Sequence, residues 1–342
     1  MKTRIIEIDQ LKGLAMCLVV VWHVAGYVFG LNDDFVLLSR FIMPLFFFLS
    51  GLVSITEARP FNEFIPYLYK KSCSLLIPFF VVGTLFAHTQ NVSIIGMLST
   101  AFKCGYYYLL VLFIYSIILF FFNQVSAHIT NRKVLNDLIL SFSLFAITVV
   151  IEKIIKIYDV DMVSYTSIVQ ISKNILPFFL GVIVNKYKLL YFIKKELVFT
   201  LSLSIFGIFS YLNFCCDLHL HNVFYQIFSQ IIGVSAIFWI VYLFFCRTRH
   251  NIFLSTLAYI GTRTLDIYVL HYFILRIIHL DNLSLYLHST NNQLVEYVLN
   301  ISISILVILT CLLIGNLIRS SRYLKFIIFG GILPKKVLTE NN

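Results

Sequence analysis

Charge is what this chain has least of. Only 12% of its 342 residues are Asp, Glu, Lys or Arg, about half the fraction usual in a water-soluble domain. A soluble globular fold is thereby excluded, and length is no guide to domain count. Carboxylates are scarcer still, with 16 Asp and Glu against 26 Lys and Arg, a net charge of +10. The cysteines are few and scattered. With Cys17 and Cys311 inside apolar runs, they form neither a paired CxxC zinc motif nor a dense disulfide framework. No internal repeat and no low-complexity segment is evident.

What is present is apolar: 60% hydrophobic residues, with 34 Phe and 20 Tyr, and a mean hydropathy of +0.91. Rings suit lipid-facing surfaces, and tyrosine hydroxyls reach wet headgroups. The reading is an all-α integral membrane protein. Apolar runs of spanning length fall at about 11–31, 41–56, 74–88, 106–123, 138–154, 171–185, 196–214, 225–245, 257–279 and 296–318. Ten spans put both termini on one side, and the loops of that side hold 20 of the 26 Lys and Arg. Basic loops stay in the cytoplasm, so both termini are expected there. The others are Arg40, Lys103, Lys153, Lys156, Lys173 and Arg276. This distribution explains the positive charge without nucleic acid as a partner. Lys2 and Arg4 before an apolar stretch resemble a signal peptide, but a run of about 20 residues suits an uncleaved first span. Residues 1–318 are thus expected to be one ten-helix transmembrane unit, with 319–342 a short basic cytoplasmic tail.

Residues 12–23 read KGLAMCLVVVWH. On a helix, eleven steps of about 100° bring Lys12 and His23 to nearly one face, about 16 Å apart along the axis. Lys12 then marks the membrane boundary, and His23 looks down the same stripe from within. An ionisable group at that depth is expensive and points to function. The plainer alternative is a histidine hydrogen-bonded to a neighbouring helix and a lysine that only sets orientation. Asp9, three residues before Lys12, is placed to orient it.

The second run, FIMPLFFFLSGLVSI, carries Pro44 near its outer start and the small pair Ser50 and Gly51, where a helix or a ligand chain can approach closely. The following loop, ARPFNEFIPYLYKKSCSLLIPFF, reads as an amphipathic surface helix entering a third span kinked at Pro78. Lys70 and Lys71 there are expected at the same mouth as Lys12, suited to phosphates or, as the more favoured reading of these residues alone, to anionic lipid headgroups. The longest outer segment, 88–105, can re-enter or cover a cavity and leads into an interfacial cluster, Tyr106, Tyr107 and Tyr108. Residues 215–221, CCDLHLH, contain metal-ligand types but match no strong spacing template, and no metal is expected. A disulfide from Cys104 to Cys215 or Cys216 is conceivable if the outer side is oxidising. The ninth run, LAYIGTRTLDIYVLHYFILRIIHL, is unusually polar. Asp266 can pair with Arg263, while Tyr268 and His271 share a face and can line a cavity with His23 or simply join helices.

Together, IDQLKGLAMCLVVVWH, FIMPLFFFLSG, YLYKKSCSLLIPFF and YIGTRTLDIYVLH resemble the acyltransferase-3 family of integral-membrane acyltransferases, which includes bacterial O-antigen, capsule and peptidoglycan O-acetyltransferases. Lys12 and His23 match its first-helix signature of a basic residue followed eleven residues later by His. Lys71 takes the first of two basic positions in the third segment. Ser74 stands where the second, an arginine, is usual, with Lys70 available to substitute. The extracellular esterase-like domain of some members is not expected here.

The resemblance implies acyl transfer from cytoplasmic acyl-CoA, usually acetyl-CoA, to a carbohydrate hydroxyl in the bacterial inner membrane, through a central acyl-CoA cavity or tunnel. Lys12, Lys70 and Lys71 would hold the coenzyme, and the rise from Lys12 to His23 is comparable to an extended pantetheine arm. His23 would act as general base or as transient nucleophile, the base being preferred because an apolar setting keeps imidazole neutral. Ser50, Tyr268 and His271 are candidates for hydrogen bonds to the oxyanion or acceptor. The competing reading is a proton-coupled transporter or flippase of a lipid-linked sugar, which would show paired repeats and interrupted helices.

Overall fold

The computed structural model describes residues 5–29, 33–129, 133–215, 222–247, 251–278 and 293–331. Among them there is helix and turn but no strand. The helices are α1 (Ile6–Val24), α2 (Asp33–Leu52), α3 (Phe64–Lys71), α4 (Ile77–Thr89), α5 (Ile94–Ser99), α6 (Tyr107–His128), α7 (Lys133–Tyr158), α8 (Val160–Thr166), α9 (Ile168–Lys186) and α10 (Leu190–Ile193). They continue with α11 (Glu196–Cys215), α12 (Asn222–Tyr242), α13 (Ile252–Thr262), α14 (Thr264–Ile277), α15 (Gln293–Ser320) and α16 (Arg322–Phe329). Six helical segments among the described residues are long and apolar enough to cross a bilayer. They are Ile6–Tyr27, Phe61–Thr89, Tyr107–His128, Lys133–Tyr158, Ile168–Lys186 and Leu294–Ser320. Shorter apolar helices cover Arg40–Leu52, Glu196–Leu212, Gln230–Cys246 and Ile252–Thr262. A multi-pass helical membrane protein follows, because only internally hydrogen-bonded backbone is tolerated in lipid.

Two helix pairs approach backbone to backbone. A Cβ at Gly13 of α1 would lie 1.9 Å from the Leu257 carbonyl oxygen, and one at Gly261 of α13 would lie 1.8 Å from that of Asp9. The α2–α9 pair repeats the device: Gly51 faces the Phe178 carbonyl at 2.0 Å and Gly181 faces that of Phe48 at 2.1 Å. Lipid tails are as apolar as leucine, so close packing of small residues must supply what the hydrophobic effect supplies in water. Gly51 therefore serves a helix contact. A buried polar knot ties α6, α7 and α9 together. The Asp137 carboxylate accepts from Ser126 Oγ at 2.5 Å and from Lys186 Nζ and Tyr187 OH, both at 2.8 Å.

Prolines shape the ladder in three places. Pro44 lies well inside α2, which begins at Asp33 and not near residue 41. The expected outer start is thus corrected, and a missing donor interrupts a helix instead of starting one. Pro177 does the same in α9. Arg40 and Lys173 stand four residues earlier, so theirs are the carbonyls deprived of an α-helical donor. Gln230 Nε2 donates to the Lys173 oxygen, and Gly233 leaves room for Pro44 and the Arg40 oxygen.

The third place is the junction of the amphipathic α3 with α4, where residues 72–76 take a π-helical turn. Ile77 N–H donates to Ser72 O in that register. Pro78, next in line, has no N–H for Cys73 O, and Gly331 N–H fills the vacancy at 3.0 Å. The segment ending in α16 is thereby clasped to α4, with Phe329 buried against it and the Arg319 guanidinium 4.8 Å above the Phe329 ring.

The ninth apolar run is divided. Arg263, at φ −115° and ψ 16°, separates α13 from α14. The tyrosine cluster also differs from expectation: Tyr106 is fully buried and donates to the Val269 carbonyl at 3.0 Å, a core position and not an interfacial one. Asp266 pairs with Arg263 at 3.4 Å as its spacing predicts. Its stronger partner is Arg319, which donates through Nε at 2.7 Å and Nη2 at 2.5 Å.

Gly261→Ala places a methyl against the Asp9 carbonyl, an overpacking defect of about 1–3 kcal/mol. Thermal unfolding in detergent micelles should show a clear fall in melting temperature, whereas Gly207→Ala, with nothing within 4 Å of its Cβ position, should leave it unchanged.

Candidate active site

His23 occupies the last turn of α1, just before the backbone widens into a π-helical turn at Ala25–Phe29. Its Nε2 is 2.9 Å from the hydroxyl of Tyr272 on α14, the donor being set by the imidazole tautomer. The two rings meet edge to face with centroids 4.7 Å apart. His271 lies behind them, its ring 5.1 Å from that of His23. It is fully buried, with Nδ1 3.0 Å from the Ile267 carbonyl oxygen. Its Nε2 is buried without a hydrogen-bond partner.

Tyr268 and Tyr272, one turn apart on α14, both line a cavity of about 670 Å³ with His23. That volume suits a small-molecule site. Its wall combines Val19, Trp22 and His23 from α1, Arg40, Ile42, Met43 and Pro44 from α2, Tyr107 from α6 and Gln170, Lys173 and Asn174 from α9. The segment 88–105 covers it through Gln90, Phe102, Cys104 and Gly105.

Three consecutive residues of that segment, Lys103, Cys104 and Gly105, have positive φ. Lys103 anchors them: its ammonium donates to the carbonyls of Leu98 at 2.7 Å, Thr100 at 2.9 Å and Ser164 at 2.5 Å, while burial pushes it down to about 8. Gly105, at φ +96°, accepts a hydrogen bond from Tyr268 OH at 2.9 Å. It lies so close to Tyr272 that a Cβ would fall 2.3 Å from the ring. The segment thus positions the tyrosine that holds His23. Cys104 is a free thiol, and residues 216–221 lie outside the described residues.

Ser50 stands behind the wall, its Oγ donating to Phe46 O at 2.9 Å and 2.7 Å from Tyr108 OH. Tyr108 in turn packs against Tyr268, centroids 5.5 Å apart. Tyr268 therefore reaches the cavity, His271 contacts its lining residues from behind, and Ser50 is linked to Tyr268 through Tyr108. His271 misses the wall because a further step of about 100° is needed to carry α14 round to Tyr272.

The lysine end is built separately. Lys12 is half-buried on α1 and Asp9 is buried where α1 meets α13. Lys70 is exposed at the end of α3, and Lys71 lies over the Tyr67 ring at 5.7 Å, beside Arg59 at 5.5 Å. Ser74 folds back on the helix, donating to the carbonyls of Lys70 at 3.0 Å and Lys71 at 3.2 Å. None of these lysines lines the cavity, which opens at the other end of α1. Below Val19, Leu11, Ala15 and Met16 are buried in the core. On α1 and the turn that continues it, the cavity lining runs from Val19 to Tyr27 and does not include Lys12.

A family model described as an acyltransferase domain matches residues 5–316, nearly the whole chain. The chain belongs to the acyltransferase-3 family. No curated protein and no solved structure matches it. In this acyltransferase the first-helix motif and the late Tyr-x-x-His helix lie in contact around one cavity. Tyr272, the residue that bonds His23, was missed from the sequence, although its spacing of four from Tyr268 marks it as facing the same way.

Tyr272→Phe keeps the ring and removes the hydroxyl. Acyl transfer should fall about tenfold, the worth of one hydrogen bond of about 1.4 kcal/mol, and the pH–rate profile should shift because His23 loses that contact. Gly105→Ala, strained and pressed against Tyr272, should lower activity further.

Proposed function

We propose that this acyltransferase moves an acyl group, acetyl in the first instance, from cytoplasmic acyl-CoA to a hydroxyl of a cell-surface or lipid-linked glycan of the O-antigen or capsule type. In this reading the chain spans the bacterial inner membrane ten times with both termini in the cytoplasm. The observation that carries it is His23, held by Tyr272 at the inner end of a cavity and joined by helix to Lys12 about 16 Å below.

His23 is the general base. With the proton on Nε2, donated to Tyr272 OH, the Nδ1 lone pair is left to take the proton of the acceptor hydroxyl. The alkoxide so generated attacks the thioester carbonyl, the tetrahedral oxyanion collapses, and the thiolate of CoA leaves. Tyr272 holds the orientation of the ring, its hydroxyl oxygen accepting from Nε2–H in this tautomer. Tyr272, which in this tautomer keeps its own hydroxyl proton, would donate to the oxyanion, and Tyr268 would join it on releasing the Gly105 carbonyl. Ser50 and His271 support it from behind, through Tyr108 and the packing of α14.

Lys12, oriented by Asp9, would grip coenzyme phosphates at the cytoplasmic boundary together with Lys70 and Lys71. The donor arm must then pass the packed layer below Val19, so thioester entry requires α1 and its neighbours to part. A thioester is already activated, and this chemistry calls for no metal.

His23→Ala should abolish glycan acylation while leaving expression intact, since about 10²–10⁴-fold rests on a general base. Purified wild-type protein should release free CoA from acetyl-CoA when acceptor is supplied. Mass spectrometry of the glycan should show an increment of one acyl group that is lost in the variant. Sugar movement across vesicles with no CoA release would instead favour a transporter.

A further inference from the structure

The part of the cavity wall supplied by α9 consists of polar side chains alone. Gln170, Lys173 and Asn174 line it, at the three- and four-residue spacing that puts them on one helix face. Two of them are neutral amides, each at least nine-tenths buried. Asn174 is fixed by its own helix, its Nδ2 donating to the Gln170 backbone carbonyl at 2.8 Å. Gln170 Oε1 has no hydrogen-bond partner within the protein, whereas buried side-chain oxygens nearly always find one. Gly51 and Gly181 lock α9 to α2, so Gln170 keeps its place in the wall.

A second unpaired group lies on α1. Trp22 lines the same cavity, and its buried indole N–H has no acceptor within the protein. Its ring meets that of His23 edge to face, with centroids 4.7 Å apart. The unpaired donor thus stands beside the imidazole. An indole only donates, and an amide oxygen only accepts. A hydroxylated ring carries both complements. Neither of the two protein atoms has a part in the proton transfer or in holding the oxyanion.

We propose that Gln170 and Trp22 are specificity residues for the acyl acceptor. Gln170 Oε1 accepts a hydrogen bond from one hydroxyl of the acceptor sugar, Trp22 Nε1 donates one to a second oxygen, and the pair decides which hydroxyl stands before His23. This deepens the acyl-transfer reading and rests on it for the identity of the bound molecule. An apolar pocket discriminates weakly between hydroxyls, whereas a site with placed donors and acceptors rejects a ligand that leaves them unmatched. A sugar turned to bring a different hydroxyl to His23 leaves the glutamine oxygen or the indole N–H unpaired, and that orientation is disfavoured.

The measurement is where the acyl group lands. Glycan would be isolated from cells expressing the full chain in place of their own copy, under mildly acidic conditions that limit acyl migration. The acylated positions would be assigned by NMR and mass spectrometry. Wild-type protein should acylate one hydroxyl in strong preference to its neighbours. Gln170→Leu and Trp22→Phe should each lower that preference about tenfold, the worth of one hydrogen bond, so that acyl groups appear at neighbouring hydroxyls. Gln170→Asn keeps the amide but withdraws it, and should do the same to a smaller extent. Gly261→Ala disturbs packing away from the cavity wall, and should lower the amount of acylation without moving it.

An unchanged position in all three cavity variants, at whatever level of acylation, would overturn the inference. So would a wild-type enzyme that acylates neighbouring hydroxyls indiscriminately. Loss of all acylation in both Gln170 variants, each purified as monodisperse protein, would also overturn it, because a residue that only selects leaves transfer possible. A wild-type glycan carrying no acyl group at all would instead sink the acyl-transfer reading, and this inference would fall with it.

Discussion

A hydrogen bond of 2.9 Å between His23 and Tyr272 joins residues 249 positions apart, and the arrangement of the site follows from keeping it. His23 is carried by α1, whose position is set by backbone contact with α13 through Gly13 and Gly261. Tyr272 is carried by α14, which continues from α13 after the break at Arg263. The Asp266–Arg319 pair fastens α14 to α15. The same chain segment thus grips α1 at one end and meets its histidine at the other, so the spacing of imidazole and phenol is a property of rigid helix packing. Sites held by packed helices keep their geometry better than sites on loops.

Proline is used here to make room. A helix interior that lacks a donor leaves a carbonyl open, and in lipid such a group must be satisfied within the protein. At Pro177 the open Lys173 carbonyl is taken by Gln230; at Pro78 the π-helical turn hands Cys73 O to Gly331. Pro44 and the stretch of α9 just before Pro177 lie beside the cavity. The interruptions that would be liabilities in a plain spanning helix coincide with the polar space of the site. Segment 88–105 closes that space with Lys103 as its anchor, which ties cover, Gly105 and Tyr272 into one unit.

The acyltransferase has two chemically distinct ends. At one, Lys71 and Arg59 lie over the Tyr67 ring with Lys70 exposed at the end of α3, and Lys12 is half-buried on α1. At the other, an open cavity meets His23 under Arg40 and Lys173. Between them lies a packed layer of Leu11, Ala15 and Met16. A helix rise of about 16 Å separates Lys12 from His23 along α1. Such a division suits a reaction whose two substrates approach from opposite sides.

Much of this was legible in one dimension. Hydropathy and the scarcity of charge determined a multi-pass helical protein, because lipid admits little else. The register of Lys12 and His23 marked α1 and, with the three other matched segments, the family. The pairing of Asp266 with Arg263 followed from helical spacing alone, and the length of the outer segment 88–105 raised the prospect that it would re-enter or cover a cavity. What only the tertiary structure decided were choices between faces and between ends. Tyr272, not His271, meets His23, because packing selects which side of α14 turns inward. Tyr106 enters the core instead of the interface, and Pro44 interrupts a helix whose polar beginning hydropathy did not count. The cavity wall gathers at the His23 end of α1, while Gly13 and Gly261 let α1 and α13 pack backbone to backbone nearer its start. Periodicity specifies which residues share a stripe, but only the neighbours that fill or leave the space beside it decide where a ligand can go.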